Sequence, residues 1–222
     1  MLLTDEKIIN SMVKKNLVIL DPDINISNNN KNIADADVCL YHLQGLYNLK
    51  LQNTSYDVTL GYHIYRLRYN DMIETHKHMG TTVVDVRKPM NFEHLPLHVD
   101  PRTKRQYFLL YPNELYLGVT REYFEFYNEI QGTLTGNSTI GRIGIANHKT
   151  AGHLDVGFYG HITLEIEVTK ITKVYPRMSI GQVIFNATTR PLNKYKGIYS
   201  NKYKGNEATP TLPNNTLKLD KL

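Results

Sequence analysis

The chain has 222 residues and a mass of 25.6 kDa, enough for one generous domain with a well-buried core and cramped for two. Its 26 Lys and Arg against 21 Asp and Glu leave a formal charge of +5, which a solvated surface explains without nucleic acid and which suits a phosphorylated small molecule equally well. One cysteine, Cys39, excludes an intrachain disulfide framework and a cysteine-built zinc site; no apolar run spans a bilayer, and the acidic start "MLLTDEKIINSMVKK" is unlike a secretory signal, so a soluble cytoplasmic protein is expected.

At the start, Thr4 can cap a short amphipathic helix that closes near Lys15, with Asp5 and Glu6 at its positive end and Ile8, Ile9 and Met12 as its apolar stripe. "SNNNKN" at 27 to 32 favours turns and buries nothing, which marks an Asn-rich loop or insertion near 23–53. From residue 54 short strands are expected: "SYDVTLGYHIYRLRY" alternates, "TTVVDV" is β-branched, and "YFLLYPNELYLGVT" breaks at Pro112-Asn113 as a turn between strands does. Repeated turn signals between short strands point to an all-β barrel or sandwich with one or two short helices. His76 and His78 in "THKHMG" form a minimal metal pair, but no third ligand stands nearby in sequence. The sixteen tyrosines suit strand surfaces, and the tail from "KYKGIYSNKYKGN" onward could not bury itself alone. The abundance of Asn, Lys, Ile and Tyr suggests an AT-rich genome, a viral one included, which would put the protein in a host cytoplasm.

Residues 133 to 166, "TLTGNSTIGRIGIANHKTAGHLDVGFYGHITLEI", concentrate glycine and charge. Asn137 and Ser138 are good helix caps and Ile140 with Ile143 has helical spacing, so a helical turn can begin at Ser138; a plain turn leading into a strand is the commoner outcome for such a fragment. Glycines at 152, 157 and 160 around Asp155 suit a tight hairpin, in which the carboxylate either bonds its own backbone or holds a small polar group. In "HITLEIEVTKI" the alternation puts Ile162, Leu164, Ile166 and Val168 on one face and His161, Thr163, Glu165 and Glu167 on the other, where Glu165 would ordinarily be solvated. The company of Ser138, Arg142 and Asp155 singles it out.

The motif order resembles that of the dCTP deaminase family within the dUTPase-like superfamily: "MLLTDEKI", "SYDVTLG", "FLLYPNELYLGVTREY", the 133–166 stretch, "MSIGQVIF" and a terminal "NKYKGN". The likeness runs from the first residue to about 207, interrupted mainly at 23–53. It implies a mainly β fold, a distorted β-barrel of the dUTPase-like type, as a single domain over 1–203 with a C-terminal arm over 204–222. It also implies a homotrimer whose active sites are completed by a neighbouring chain.

The reaction implied is deamination of dCTP at C4 to dUTP and ammonia, with Mg²⁺ carried on the triphosphate and no zinc, consistent with the missing H-x-E and P-C-x-x-C pattern. By resemblance Glu165 is the general base and acid, Ser138 and the Ala151 carbonyl position the water and amino group, and Arg142 orients Glu165 and stabilises charge. Asp155 matches the 3′-hydroxyl site, Thr150 lies beside the substrate, and Tyr195, Lys202, Tyr203 and Asn206 match positions that close over the phosphates. Asn137 stands where a family arginine commonly lies, Asn206 replaces a usual glutamine, and "DVG" replaces "DPG". "TAG" followed by "LDVGF" is closer to bifunctional members that carry dCTP through to dUMP, which makes that activity the runner-up. A plain dUTPase has no use for Glu165, and a catalytically silent nucleotide sensor, or dTTP inhibition layered on catalysis, are the remaining alternatives. Nucleic acid and membranes are not expected partners.

Overall fold

The computed structural model describes residues 1–14, 16–22, 50–76, 81–189, 191, 195, 209, 210 and 212, without the side chains of 75 and 76. Most of the Asn-rich segment, Cys39, Lys15, the His76 and His78 side chains, Lys202, Tyr203 and Asn206 lie outside the described residues.

Helix α1 (Asp5–Val13) buries Ile8 completely and rests Ile9 and Met12 against the core, as its stripe dictates. Thr4 occupies the cap position but makes no side-chain cap bond; the Asp5 carboxylate instead accepts the Glu6 amide at 2.8 Å. The strands follow as β1 (Leu17–Leu20), β2 (Ser55–Thr59), β3 (Tyr65–Leu67), β4 (Ile73–His76), β5 (Thr81–Val84), β6 (Phe92–His94), β7 (His98–Val99), β8 (Gln106–Leu110), β9 (Tyr116–Phe126) and β10 (Ile130–Thr135). After the short helix α2 (Ser138–Arg142) come β11 (Ile145–Ala146), β12 (His153–Leu154), β13 (Tyr159–Val168), β14 (Thr172–Val174) and β15 (Ser179–Ala187). Every pairing is antiparallel.

The six-stranded sheet runs β11-β13-β9-β3-β6 with β1 also on β9, and the four-stranded sheet runs β12-β10-β15-β2. Between them Tyr56, Phe124, Phe126 and Phe185 fill the interior, each at most 1% exposed, with Phe124 stacked on Phe126 at 6.1 Å and edge-on to Tyr56 at 6.3 Å. A mainly β chain therefore wraps its core with several sheets, as a distorted barrel does, and no single one closes on itself among the described strands.

The sheets also explain where sequence patterns divide. "SYDVTLGYHIYRLRY" reads as one alternating run, yet β2 and β3 belong to different sheets. The crossover is at Leu60, which bridges Thr120, and Gly61, where a Cβ would come within 2.8 Å of Val119. Pro112-Asn113 does make a turn, with Asn113 at φ 66, but β8 and β9 on its two sides pair with different neighbours. His161, expected on a polar face, is buried: the β9–β13 register shifts between His161 and Thr163, and the imidazole packs edge-on to Tyr123 with Nδ1 3.1 Å from the Glu122 carbonyl.

A cluster of charges is enclosed around Lys50. Lys50 Nζ lies 2.8 Å from Asp21 and 2.8 Å from Glu122, whose side chains are fully covered. Tyr56 donates to Asp21 at 2.5 Å, while the Thr59 amide and hydroxyl donate to Glu122 at 2.9 and 2.6 Å. Burial pushes the Glu122 carboxyl up despite Lys50; burial alone would depress Lys50, and the two carboxylates outweigh it to hold its ammonium above the ordinary range. Such a cluster is costly to break by removing one member, because the others are left buried and uncompensated.

Candidate active site

The 133–166 stretch folds into a fork. Asn137 accepts the Ile140 amide at 3.0 Å through its side chain, which starts α2 and decides for a helical turn over a plain one. The chain then pairs with β13 through Ile145↔Val168 and Ala146↔Glu167, and the Asn147 carbonyl accepts the Glu165 amide at 3.1 Å. Beyond Asn147 it leaves β13, crosses to the other sheet, and pairs with β10 through His153 and Leu154. Residues 148–152 span the divergence, and Glu165 sits where the two branches part.

Because those residues have left the ladder, their amides are free to face a side chain. Glu165 Oε2 accepts the Lys149 amide at 2.8 Å and the Thr150 amide at 3.1 Å. Burial would push the Glu165 carboxyl up, but the Thr150, Lys149 and Ala151 amides, with His148 nearby, prevail and hold it below the usual range. An ionised carboxylate ready to accept a proton is the result. The Lys149 ammonium pairs with Glu167, so one residue grips β13 by backbone and side chain.

The fork rests on Asn147, 1% exposed. Its Nδ2 donates to the Thr135 carbonyl at 3.1 Å and the Ile180 carbonyl at 2.9 Å, and its Oδ1 lies 3.1 Å from His148 Nδ1. Gly181 makes room: a Cβ there would stand 2.0 Å from Asn147 Nδ2 and 2.7 Å from the Thr135 carbonyl oxygen.

Of the residues singled out from the sequence, Glu165, Thr150 and Ala151 meet at the fork. Asp155 and Tyr195 lie by the next turn: Asp155 Oδ1 is 3.1 Å from His153 Nε2, Gly157 at φ +94 packs against the Tyr195 backbone, and the Tyr195 ring faces Phe158 at 6.4 Å. Ser138 and Arg142 are exposed at the two ends of α2, and neither hydrogen-bonds to Glu165 within the chain. Asn147 and Gly181 escaped the sequence reading, although both stand inside motifs quoted above. Among the described residues no three His, Cys, Asp or Glu side chains gather as a metal group, and no helix is long and apolar enough to cross a membrane.

The family model for dCTP deaminase-like proteins matches residues 29–188. The chain belongs to the dCTP deaminase-like family. Within that family it is similar to the "dCTP deaminase, dUMP-forming" of Clavibacter michiganensis, 39% identical over 102 residues that make up 44% of this chain and 51% of that one. The protein of the same name from a Parafrankia species is 34% identical over 142 residues, 55% of this chain and 71% of that one. The chain thus spans about half of the first relative and about seven-tenths of the second. A solved deaminase of 2′-deoxycytidine 5′-triphosphate from Agrobacterium tumefaciens overlays with a TM-score of 0.48 at 17% identity, covering 83% of this chain and 47% of that one.

Proposed function

We propose that this dCTP deaminase-like chain converts dCTP to dUMP, ammonia and pyrophosphate in two hydrolytic steps. The observation that carries the reading is the ionised Glu165 carboxylate at the fork, held by the amides of residues 149–151. In the first step Glu165 takes a proton from water as the oxygen adds to C4 of the cytosine. It returns protons to the ring nitrogen and the amino group, and ammonia leaves as the C4–N bond breaks. A positioned carboxylate of this kind contributes on the order of 10² to 10⁴ in rate. In this reading the Ala151 carbonyl, at the same fork, would accept from the exocyclic amino group.

In the second step water attacks the α-phosphorus and pyrophosphate departs. Mg²⁺ enters with the triphosphate as part of the substrate and would offset the phosphate charge. Asp155, in the turn beside Tyr195, is placed in this reading against the sugar, where it holds the nucleotide for both steps. Release of dUTP after deamination was the leading expectation from the sequence; the names of the similar proteins favour dUMP.

The exposure of Ser138 and Arg142, next to an Ile143 that is 60% exposed, supports completion of the site between copies of the chain. In a homotrimer these residues would serve Glu165 of the partner subunit. Inhibition by dTTP would act at the same site. The test is ammonia release on addition of Mg²⁺ and dCTP. Stoichiometric ammonia is expected, and nucleotide binding without ammonia would replace the enzyme by the sensor.

A further inference from the structure

The excess of positive charge, which a solvated surface would explain if it were spread over the chain, is gathered on one sheet. Strands β14, β8 and β7 form a separate three-stranded sheet in that order. Residues 98–110, which make the β7–β8 hairpin, and 169–178, which hold β14 and its flanking turns, carry six Lys or Arg and a single acid, Asp100. These two segments hold the whole formal +5, and the other 20 Lys and Arg balance the other 20 Asp and Glu.

The hairpin tip shows three of these cations on a fixed frame. Asp100 Oδ1 accepts the Arg102 amide at 3.0 Å and the Thr103 amide at 2.9 Å, while the Asp100 amide donates to the Arg105 carbonyl at 2.9 Å and its carbonyl accepts the Lys104 amide at 2.8 Å. The one acid is thus spent on the turn and on Lys173, whose ammonium lies 3.3 Å from Oδ2. Arg102, Lys104 and Arg105 are exposed, and no carboxylate among the described residues pairs with any of them. Aromatic rings stand beside them. His98 on β7 pairs with Tyr107 on β8, which puts both on one face, and their rings stack at 5.4 Å and 28°. Tyr175 lies 6.3 Å beyond Tyr107, and the Lys173 ammonium 4.4 Å from the Tyr107 ring centre. Because β7 is an edge strand, the exposed His98 has one ring face on Tyr107 and the other turned past the edge of the sheet. The tip starts two residues after His98 and ends two before Tyr107, so cations and rings are within about 7 Å along the chain.

We infer that this sheet edge binds single-stranded nucleic acid, with phosphates on Arg102, Lys104 and Arg105 and a base on the outer face of His98. A positive track beside an aromatic platform is the chemistry that takes a single strand without reading its sequence. None of these residues belongs to the fork or to the turn around Asp155, so the surface does not depend on the deamination proposed above.

Fluorescence anisotropy tests this with the full chain and a labelled oligothymidylate of about 20 nucleotides, between about 50 and 200 mM salt. The wild type should bind, and bind more weakly as salt rises. Replacing Arg102, Lys104 and Arg105 together by Gln should lower the affinity at least about tenfold at the lower salt and flatten the log–log salt slope by about 2, since each cation on a single strand contributes about 0.7. Arg102→Gln alone should flatten it by about 0.7, which keeps the test open where the triple variant melts early. His98→Ala should cost about fivefold or more with the oligonucleotide, yet leave heparin, a polyanion without bases, bound as before. A wild type that ignores the oligonucleotide, or cation variants that bind it equally well, would overturn the inference. An effect of the cations with none from His98→Ala would overturn the assignment to single strands in favour of a bare anionic surface, which vesicles containing phosphatidylserine would then reveal.

Discussion

Lys149 and Glu165 are joined through the backbone, the Lys149 amide donating to Oε2 of Glu165 at 2.8 Å, while the ammonium of the same lysine pairs with Glu167 two residues further along β13. The carboxylate at the fork is therefore stabilised in its charged form by groups that cannot themselves titrate away.

The pH dependence follows. A carboxyl held below its ordinary value of 4.5 keeps its proton-accepting form throughout the neutral range and loses it only as pH falls below that value. The kcat/KM profile for dCTP should be flat from about pH 8 to about pH 5 on this group's account. An acid limb centred near neutrality would show that the bound carboxyl is not the depressed group described.

Lys50→Met removes the cation between Asp21 and Glu122 and should destabilise the fold by about 3 to 5 kcal/mol. The Glu122 carboxyl, which burial already raises, then loses the cation that opposed that rise and binds its proton more tightly folded than unfolded, so the loss should be milder at pH 5 than at pH 8. In the wild type the sign is opposite for Lys50: its raised ammonium stabilises fully below its ordinary 10.5 and ceases to as pH climbs through the folded value. Urea melts at the two pH values measure this, and a variant equally destabilised at both would contradict it.

Gly181→Ala places a methyl group 2.0 Å from Asn147 Nδ2 and 2.7 Å from the Thr135 carbonyl oxygen, both of which are held in the fork. A cost of about 1 to 3 kcal/mol is expected from the overpacking. Because Asn147 carries the loop that caps Glu165, deamination should fall further than the lost stability explains. Thermal melts beside rates at a temperature where the variant is folded separate the two effects.

Asp155→Asn should lower kcat/KM for dCTP and for dUTP together, on the order of 10²-fold, by misplacing the nucleotide in both reactions. Loss of one activity alone would remove Asp155 from the sugar.

Much of this was legible in the sequence. The α1 stripe and the alternation that turns Glu165 away from Leu164 and Ile166 follow from local pattern, because each depends on neighbours a few residues away; the tight hairpin expected around Asp155 is instead a turn between two sheets, since β12 pairs with β10 and β13 with β9. Asn147 and Gly181 were illegible because their meaning is a contact between segments more than thirty residues apart. The amide cradle had no signature either: every residue but proline carries an N–H, and only the departure of residues 148–152 from β13 aims three of them at one carboxylate. The buried Asp21–Lys50–Glu122 group joins a strand end, a loop and a bulged strand, and its members look like ordinary surface charges in the chain.

The central claim is that Glu165 drives deamination in a pocket that also makes dUMP, and Glu165→Gln tests it most directly. The amide oxygen can still accept the Lys149 and Thr150 N–H groups, so the fork keeps its shape and loses the proton carrier. Anion-exchange separation of nucleotides after incubation with Mg²⁺ should give dUMP and pyrophosphate from dCTP with the wild type. The variant should leave dCTP unchanged, a loss of at least about 10²-fold, yet still convert added dUTP to dUMP. Substantial deamination by Glu165→Gln, or accumulation of dUTP as the wild-type end product, would contradict the account.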